Sequence, residues 1–253
     1  MSHIDQNLTV YNDPRVVAEY AAWEGLTDSE VYVFDKYVTD GTAILDIGVG
    51  GGRTTPYLSR KASRYVGIDY SQAMIAACKK KFPELEFHCD NAMNLRRFED
   101  ATFDIVVFSF NGIDNIRSVE ERRSCFREVN RILKPGGRFI FSSHNAKALR
   151  EWPRLDDAGI LKKVVRITRA LYKTPPFAKL TLCSGVFKNG SGYILDPAHG
   201  GLVGFYSTPE YIAAEAHASS FEVEEVVNHG HGHYPRLFRK YFIIWYYYAL
   251  VKL

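Results

Sequence analysis

The sequence predicts an α/β fold with a mostly parallel sheet and an insertion after the fifth strand, and three observations carry that reading. Short runs rich in β-branched and aliphatic residues alternate with helical patterns from residue 41 to about 145, the rhythm of parallel strands joined by crossover helices. The alternation breaks between 146 and 206, where Pro and Gly are scattered, and regular patterns return from 207. Finally, 253 residues of which 46% are hydrophobic would bury about three quarters of their unfolded surface by area scaling, enough for a core without staples.

Each element has its own signal. Thr27 followed by Glu30 forms a capping box for a helix through Val31, Phe34 and Val38. The strands read as AILDIGV (43 to 49), YVGIDY (65 to 70), LEFHCD (85 to 90), FDIVVFSF (103 to 110) and GRFIFSSH (137 to 144). Ser71 caps a helix that places Met74, Ile75 and Cys78 on one face and ends in Lys79, Lys80 and Lys81, where cations suit the helix dipole. Ser118 with Glu121 repeats the box before a helix burying Phe126, Val129, Ile132 and Leu133, stopped by Pro135, Gly136 and Gly137. In the insertion, Leu161, Val164, Val165, Ile167, Leu171 and Tyr172 interleave with Lys162, Lys163, Arg166 and Arg169 at helical spacing. That reads as an amphipathic helix with a solvated basic face, or as part of a lid over a substrate site. Thr208 and Pro209 open a last helix, FEVEEVV (221 to 227) is a strand, and the aromatic C-terminal run is the final strand. One domain, 1–253, is therefore expected: an N-terminal helical cap segment (1–40), a ligand-binding core (41–145), a substrate-cap insertion (146–206), and a C-terminal helix with the last two strands (207–253).

Composition excludes several classes. The net charge of +3 comes from 32 basic and 29 acidic residues without a polybasic run, which argues against nucleic acid. Cys78, Cys89, Cys125 and Cys183 lack the close pairs of a zinc ribbon or redox motif, and a reducing cytoplasm is the natural location. The polar start, MSHIDQNLTVYNDP, does not resemble a secretory signal. The most apolar stretch, YFIIWYYYALV, falls short of the roughly 20 residues of a membrane helix.

The most informative stretch is ILDIGVGGGRT, residues 44 to 54, which joins a strand to a helix. Gly48, Gly50 and Gly52 alternate, so the backbone can turn and approach a ligand without Cβ atoms in the way. A dinucleotide fingerprint would need its third glycine where Arg53 stands, so that reading fails. Asp46, two residues before the first glycine, would suit a cationic or amine-bearing ligand and repel a pyrophosphate. Asp69, seventeen residues beyond Gly52, is placed to accept ribose hydroxyls, and Asp90 to accept from an adenine amino group. Taken singly, Asp69 and Asp90 read equally well as helix caps. Three acids at or near the ends of three successive strands nevertheless make a coherent crevice.

With these motifs the chain resembles the class I S-adenosylmethionine-dependent methyltransferases of the small-molecule type. The resemblance rests on LDIGVGGG, VGIDYS, HCDNA, FDIVVFSFNGID and FREVNRILKPGGRFIF, spans about residues 40 to 144, and resumes weakly over 207 to 250. It implies a seven-stranded, mostly parallel Rossmann-like sheet with helices on both faces. It implies that S-adenosyl-L-methionine, leaving as S-adenosyl-L-homocysteine, meets Asp46, Gly48, Val49, Gly50 and Gly52 with its methionine part. Asp69 would hold the ribose, Tyr70 and Met74 would flank the adenine, Asp90, Asn91 and Ala92 would bind its edge, and Ser109 would lie under the methionyl group. Tyr11 and Tyr20 would close over the cofactor, although without the family they read as packing residues.

Methyl transfer from a sulfonium gains from alignment, exclusion of water and, for a hydroxyl, removal of a proton. His144, at the end of the fifth strand, is the first candidate base, with a plain pocket-wall histidine as the alternative. Asn111 and Asp114 are expected to face substrate. His229, His231 and His233 alternate in NHGHGHY. With no cysteine or acid nearby they read as substrate wall or base, His229 and His231 foremost, sooner than as a metal site. The fourth strand ends without the proline pair of base-amino methyltransferases, and no Pro-Cys dipeptide is present. The expected reaction is methyl transfer to an oxygen or nitrogen of a small metabolite. A peptide or protein target, or a non-catalytic cofactor-binding scaffold, are the other readings.

Overall fold

The structure is a computed structural model and describes residues 3–149, 159–172, 181–196, 202–228 and 240–253. Helices α1 (His3–Tyr11), α2 (Pro14–Ala22) and α3 (Asp28–Tyr37) precede β1 (Thr42–Ile47), α4 (Thr55–Lys61), β2 (Ala62–Asp69), α5 (Gln72–Lys81), β3 (Glu86–Cys89) and β4 (Phe103–Phe108). A 3-10 turn (Gly112–Asn115), α6 (Val119–Ile132) and β5 (Leu133–Asn145) follow, then α7 (Ile160–Tyr172), a one-turn helix (Val186–Asn189), and strands β6 (Ser191–Asp196) and β7 (Leu202–Ser207). Helix α8 (Pro209–His217), β8 (Phe221–Asn228) and β9 (Trp245–Lys252) close the described chain.

The expected caps are present: Thr27 and Glu30 form a full capping box, and Ser71, Ser118 and Thr208 accept from the amides of Met74, Glu121 and Tyr211. Parallel strands β3-β2-β1-β4-β5 lie side by side. β9 runs antiparallel along the outer edge of β5, and β8 antiparallel along β9. Those seven strands are the expected sheet. Two more, β6 and β7, come from the insertion, where the sequence shows no clean strand-helix alternation. β5 outruns β4 by several residues, so His144 and Asn145 are left unpaired on that side and take β7 in parallel, while β6 pairs antiparallel with β7.

Side-chain alternation sends Leu45, Ile47, Val66, Ile68, Phe139 and Phe141 to a core with α6, and Ile44, Tyr65, Ile105, Val107 and Ile140 to a core on the opposite face. Helices therefore cover both faces, as a parallel sheet requires. The chain reverses its direction of travel across the sheet between β1 and β4, and there the carboxyl ends of the strands leave a crevice. Helix α6 ends at Ile132, earlier than Pro135 implies, because Lys134–Gly137 already belong to β5 as an irregular stretch between the pairs Phe103–Leu133 and Ile105–Arg138. The amphipathic helix in the insertion forms as α7, yet Leu161, Val164 and Val165 are exposed among the described residues.

Candidate active site

At the sheet's switch point lies a cleft with about 1140 Å³ of empty space, part of it open to solvent, somewhat above the ~300–1,000 Å³ common for small-molecule sites. The loop after β1 forms its floor. Gly48 and Gly50 have φ of +63° and +54°, and a Cβ on Gly48 would meet the Phe108 ring at 2.6 Å. Asp46 falls on the apolar side of β1, 1% exposed, and its Oδ2 accepts from Thr54 Oγ1 at 2.6 Å and Tyr65 OH at 2.9 Å. Burial pushes its carboxyl up to about 6, against the pull of those two hydrogen bonds. Asp69, at the end of β2, accepts from the Gly50 amide at 3.0 Å and the Ser71 amide at 2.8 Å. Burial likewise pushes it up to about 6, opposed by the backbone amides.

Of the expected ligand-facing residues, Tyr11, Tyr20, Asp46, Gly48, Val49, Gly50, Asp69, Tyr70, Met74, Asp90, Asn91, Ala92 and Ser109 all line this cleft. Gly52 does not. A Cβ there would strike the Phe82 ring at 2.6 Å and Cys78 Sγ at 3.4 Å, so its φ of +83° and lack of side chain serve the packing of α5 behind the loop. Gly51 faces the cleft instead, and a Cβ on it would come within 2.4 Å of the Tyr20 carbonyl and the Ala21 nitrogen. Helix α2 thus lies directly on the glycine loop. Asp90 is also less free than expected: Arg97 Nε is 3.0 Å from Oδ2 and the Asn91 amide donates to Oδ1 at 2.9 Å.

The N-terminal segment forms one wall. The Tyr11 ring meets Tyr20 at 5.8 Å and Tyr70 at 6.0 Å, both edge-on, and Tyr20 stacks on Trp23 at 4.5 Å. Ser71 Oγ donates to the Tyr11 carbonyl at 2.9 Å. Asn7, 3% exposed, donates to the Val203 carbonyl at 3.1 Å and accepts from the Val203 amide at 3.2 Å, pinning α1 to β7. Sequence reasoning missed Trp23, Gly51, Thr54, Phe110 and Asn115 as lining residues and used Arg53 only to reject a motif. Arg53 bonds Glu30 through two nitrogens at 2.7 and 2.6 Å and lies 4.9 Å over the Phe110 ring. Burial works against the Glu30 charge, but those bonds hold its carboxyl below the usual range.

His144 lies outside the cleft lining. Its Nδ1 is 2.8 Å from Asp114 Oδ2, which also accepts its backbone amide at 2.7 Å, and its Nε2 is 3.3 Å from Asn111 Nδ2. The expectation that Asp114 faces substrate is corrected. Asp114 is 1% exposed, and its oxygens serve His144, Ser143 Oγ at 2.7 Å and Arg122 Nη1 at 3.4 Å. Arg122, fully buried, extends the chain to Glu215 at 3.0 and 3.3 Å. Asn111 is 6% exposed and donates its amide to Ser142 Oγ at 2.7 Å, so it too sits behind the surface and its Nδ2 reaches His144. His229, His231 and His233 lie outside the described residues. Among the described residues no cluster of three or more His, Cys, Asp or Glu is arranged to hold a metal ion, and no helix is long and apolar enough to cross a membrane.

Comparison with known proteins fits this geometry. Residues 45–141 match the family described as a methyltransferase domain. A demethylmenaquinone methyltransferase of Paenarthrobacter aurescens is 27% identical over 166 residues, covering 66% of this chain; the chain spans 62% of that relative's length. The solved CcbJ methyltransferase of Streptomyces caelestis superposes with a TM-score of 0.64 at 16% identity, covering 97% of this chain and 99% of that one. A Burkholderia thailandensis 1,6-didemethyltoxoflavin-N1-methyltransferase, solved with 1,6-didemethyltoxoflavin and S-adenosylhomocysteine, superposes at 0.57 and 14% identity, covering 98% and 86%. This chain has the fold of the class I S-adenosylmethionine-dependent methyltransferases, and its residues 45–141 match the methyltransferase domain.

Proposed function

We propose that the protein transfers a methyl group from S-adenosylmethionine to an oxygen or nitrogen of a small-molecule metabolite in a reducing cytoplasm. One observation supports this most: the buried carboxylates Asp46 and Asp69, the glycine loop and two buried hydroxyls, Ser109 Oγ and Tyr70 OH, converge on one cleft. Both hydroxyls lack a hydrogen-bond partner among the described residues, which favours a ligand that supplies one. These residues fit the cofactor. Asp46 and the loop would meet its amino-acid end, Asp69 its ribose, Tyr70, Met74, Asn91 and Ala92 its adenine with Asp90 and Arg97 at the rim, and Ser109 its sulfur end. Bound there, the cofactor would supply an electrophilic methyl group. The chain's part is to hold the acceptor in line, exclude water with α1, α2 and their aromatic wall, and take up a proton where the acceptor is a hydroxyl. His144 is the proposed base, with Asp114 as its positioning residue.

The Burkholderia enzyme was solved with a small molecule, 1,6-didemethyltoxoflavin, which supports the same class of acceptor for this chain, as does the lack of any polybasic run. A screen of metabolite extracts with methyl-labelled S-adenosylmethionine tests the reading. Label in a small-molecule fraction is expected. Label in protein alone, or in neither fraction, would overturn it.

A further inference from the structure

We infer that α7 is an interfacial helix that seats the protein on an anionic lipid surface, lying in the plane of the bilayer with its apolar side at the boundary between headgroups and acyl chains. The inference stands apart from the methyltransferase reading and needs no cofactor.

The helix has the pattern for it. Its sequence, ILKKVVRITRALY, holds four basic residues and no acid. At about 100° per residue, Ile160, Leu161, Val164 and Val165 fall within an arc of about 140°, and the positions of Lys162, Lys163, Arg166 and Arg169 fall within about 120° on the other side. A helix that is strongly two-sided, low in net hydrophobicity and basic on its polar side suits a membrane surface. Its 13 residues rise about 20 Å, short of the ~30 Å hydrocarbon core, so α7 would lie on a bilayer and not cross it.

The fold turns the apolar side outward. Ile160 and Leu161 are 84% and 78% exposed, and Val164 and Val165 are exposed as well, whereas Lys163 on the polar side is half-buried. A helix placed for packing alone shows the reverse, with apolar residues inward and lysines in water. A lid over the cleft would also turn its apolar face inward, yet no residue of α7 lines the cleft.

Charge selects the occupant. Lys162, exposed beside Leu161, can keep its ammonium among lipid phosphates while its stem follows the apolar side. The cytoplasmic leaflet is the anionic one, and each basic residue held near it adds about fivefold in affinity. Nucleic acid would meet the basic side and leave Ile160 and Leu161 in water. A protein groove that wraps a helix would need α7 lifted from its place, whereas a flat bilayer takes the outward face where it stands.

Flotation of the full chain with phosphatidylcholine vesicles, with and without phosphatidylglycerol, tests this. The protein should float with the anionic vesicles, hardly with the neutral ones, and bind at least tenfold more weakly in about 1 M salt, where the Debye length falls to about 3 Å. Leu161→Gln combined with Val164→Gln keeps the charge and places helix-forming residues at exposed positions; it should weaken binding at least tenfold. Lys162→Gln combined with Lys163→Gln should weaken binding to anionic vesicles roughly 25-fold. Circular dichroism and melting curves verify that both double variants fold. No flotation with anionic vesicles, or flotation that survives both pairs of substitutions, would overturn the inference. A dimer in solution that Leu161→Gln with Val164→Gln dissolves, without vesicle binding, would assign the face to a second copy of the chain and overturn it as well.

Discussion

Asp114 Oδ2 accepts from both the Nδ1 and the backbone amide of His144, at 2.8 and 2.7 Å. One carboxylate oxygen thereby fixes the ring's tautomer and the strand end that carries it. Asp114→Asn would replace an acceptor that cannot donate by an amide that can, and would leave Arg122 short of one of its two anions. Breaking a buried pair costs about 3–5 kcal/mol, and loss of general-base action about 10²-fold or more in rate. Urea unfolding should show the first. Turnover of an identified acceptor should show the second as a fall in kcat with KM for S-adenosylmethionine unchanged; a fall in stability with kcat intact would reduce Asp114 to a structural role.

The two cleft carboxyls give a pH signature. Burial raises Asp46 and Asp69 from 3.8 to about 6. Below pH 4 both are protonated, folded or unfolded. As pH climbs from about 4 to about 6 the unfolded chain ionises first, so each carboxyl removes about 3 kcal/mol of stability from the ligand-free protein, and nothing further above 6. A ligand that donates hydrogen bonds to the ionised forms reverses the preference, so S-adenosylhomocysteine binding at pH 6 should release protons. Calorimetry in two buffers of different ionisation enthalpy reads this directly, and proton uptake, or no buffer dependence, would refute it.

Gly51→Ala tests the lid. The new methyl group would meet backbone atoms of Tyr20 and Ala21 at 2.4 Å, which cannot rotate away. Overpacking of this kind costs about 1–3 kcal/mol, concentrated at the contact between the loop and α2. Hydrogen exchange over residues 3–22 should accelerate in the variant, with the sheet unchanged. Equal protection in both proteins would mean that α2 does not rest on the loop in solution.

The seven-stranded sheet is legible in the sequence because each strand and cap has a local signal, as with Thr27 and Glu30 or the alternation of Ile44 and Leu45 across two cores. Strands β6 and β7 escape such reading because YILD and LVGFYS are short runs flanked by Gly and Pro, and β7 is held through two residues at the overhanging end of β5. Within the cleft, Asp46, Gly48 and Gly50 stand in one contiguous motif, and Asp69 and Asp90 stand at the ends of recognisable strands. Trp23 and Phe110 reach it through the fold of separate segments, and spacing carries no trace of that. Gly51 and Gly52 exchange roles because which glycine faces a ligand depends on the turn's geometry, while the alternation of glycines says only that the turn is open. Asp114 departs from expectation for a related reason: a carboxylate after β4 reads as substrate-facing until its burial beside Arg122 is seen.

On the proposed function, Asp69, the glycine loop and the aromatic lid together hold S-adenosylmethionine. Isothermal titration of S-adenosylhomocysteine into the protein and into Asp69→Ala tests this most directly. Removing a buried carboxylate that accepts from ligand hydroxyls should weaken binding by about 1.5–3 kcal/mol, roughly ten- to a hundredfold. Micromolar-range binding to the natural sequence with that loss in the variant is the predicted result; equal affinity in the two proteins would contradict the account.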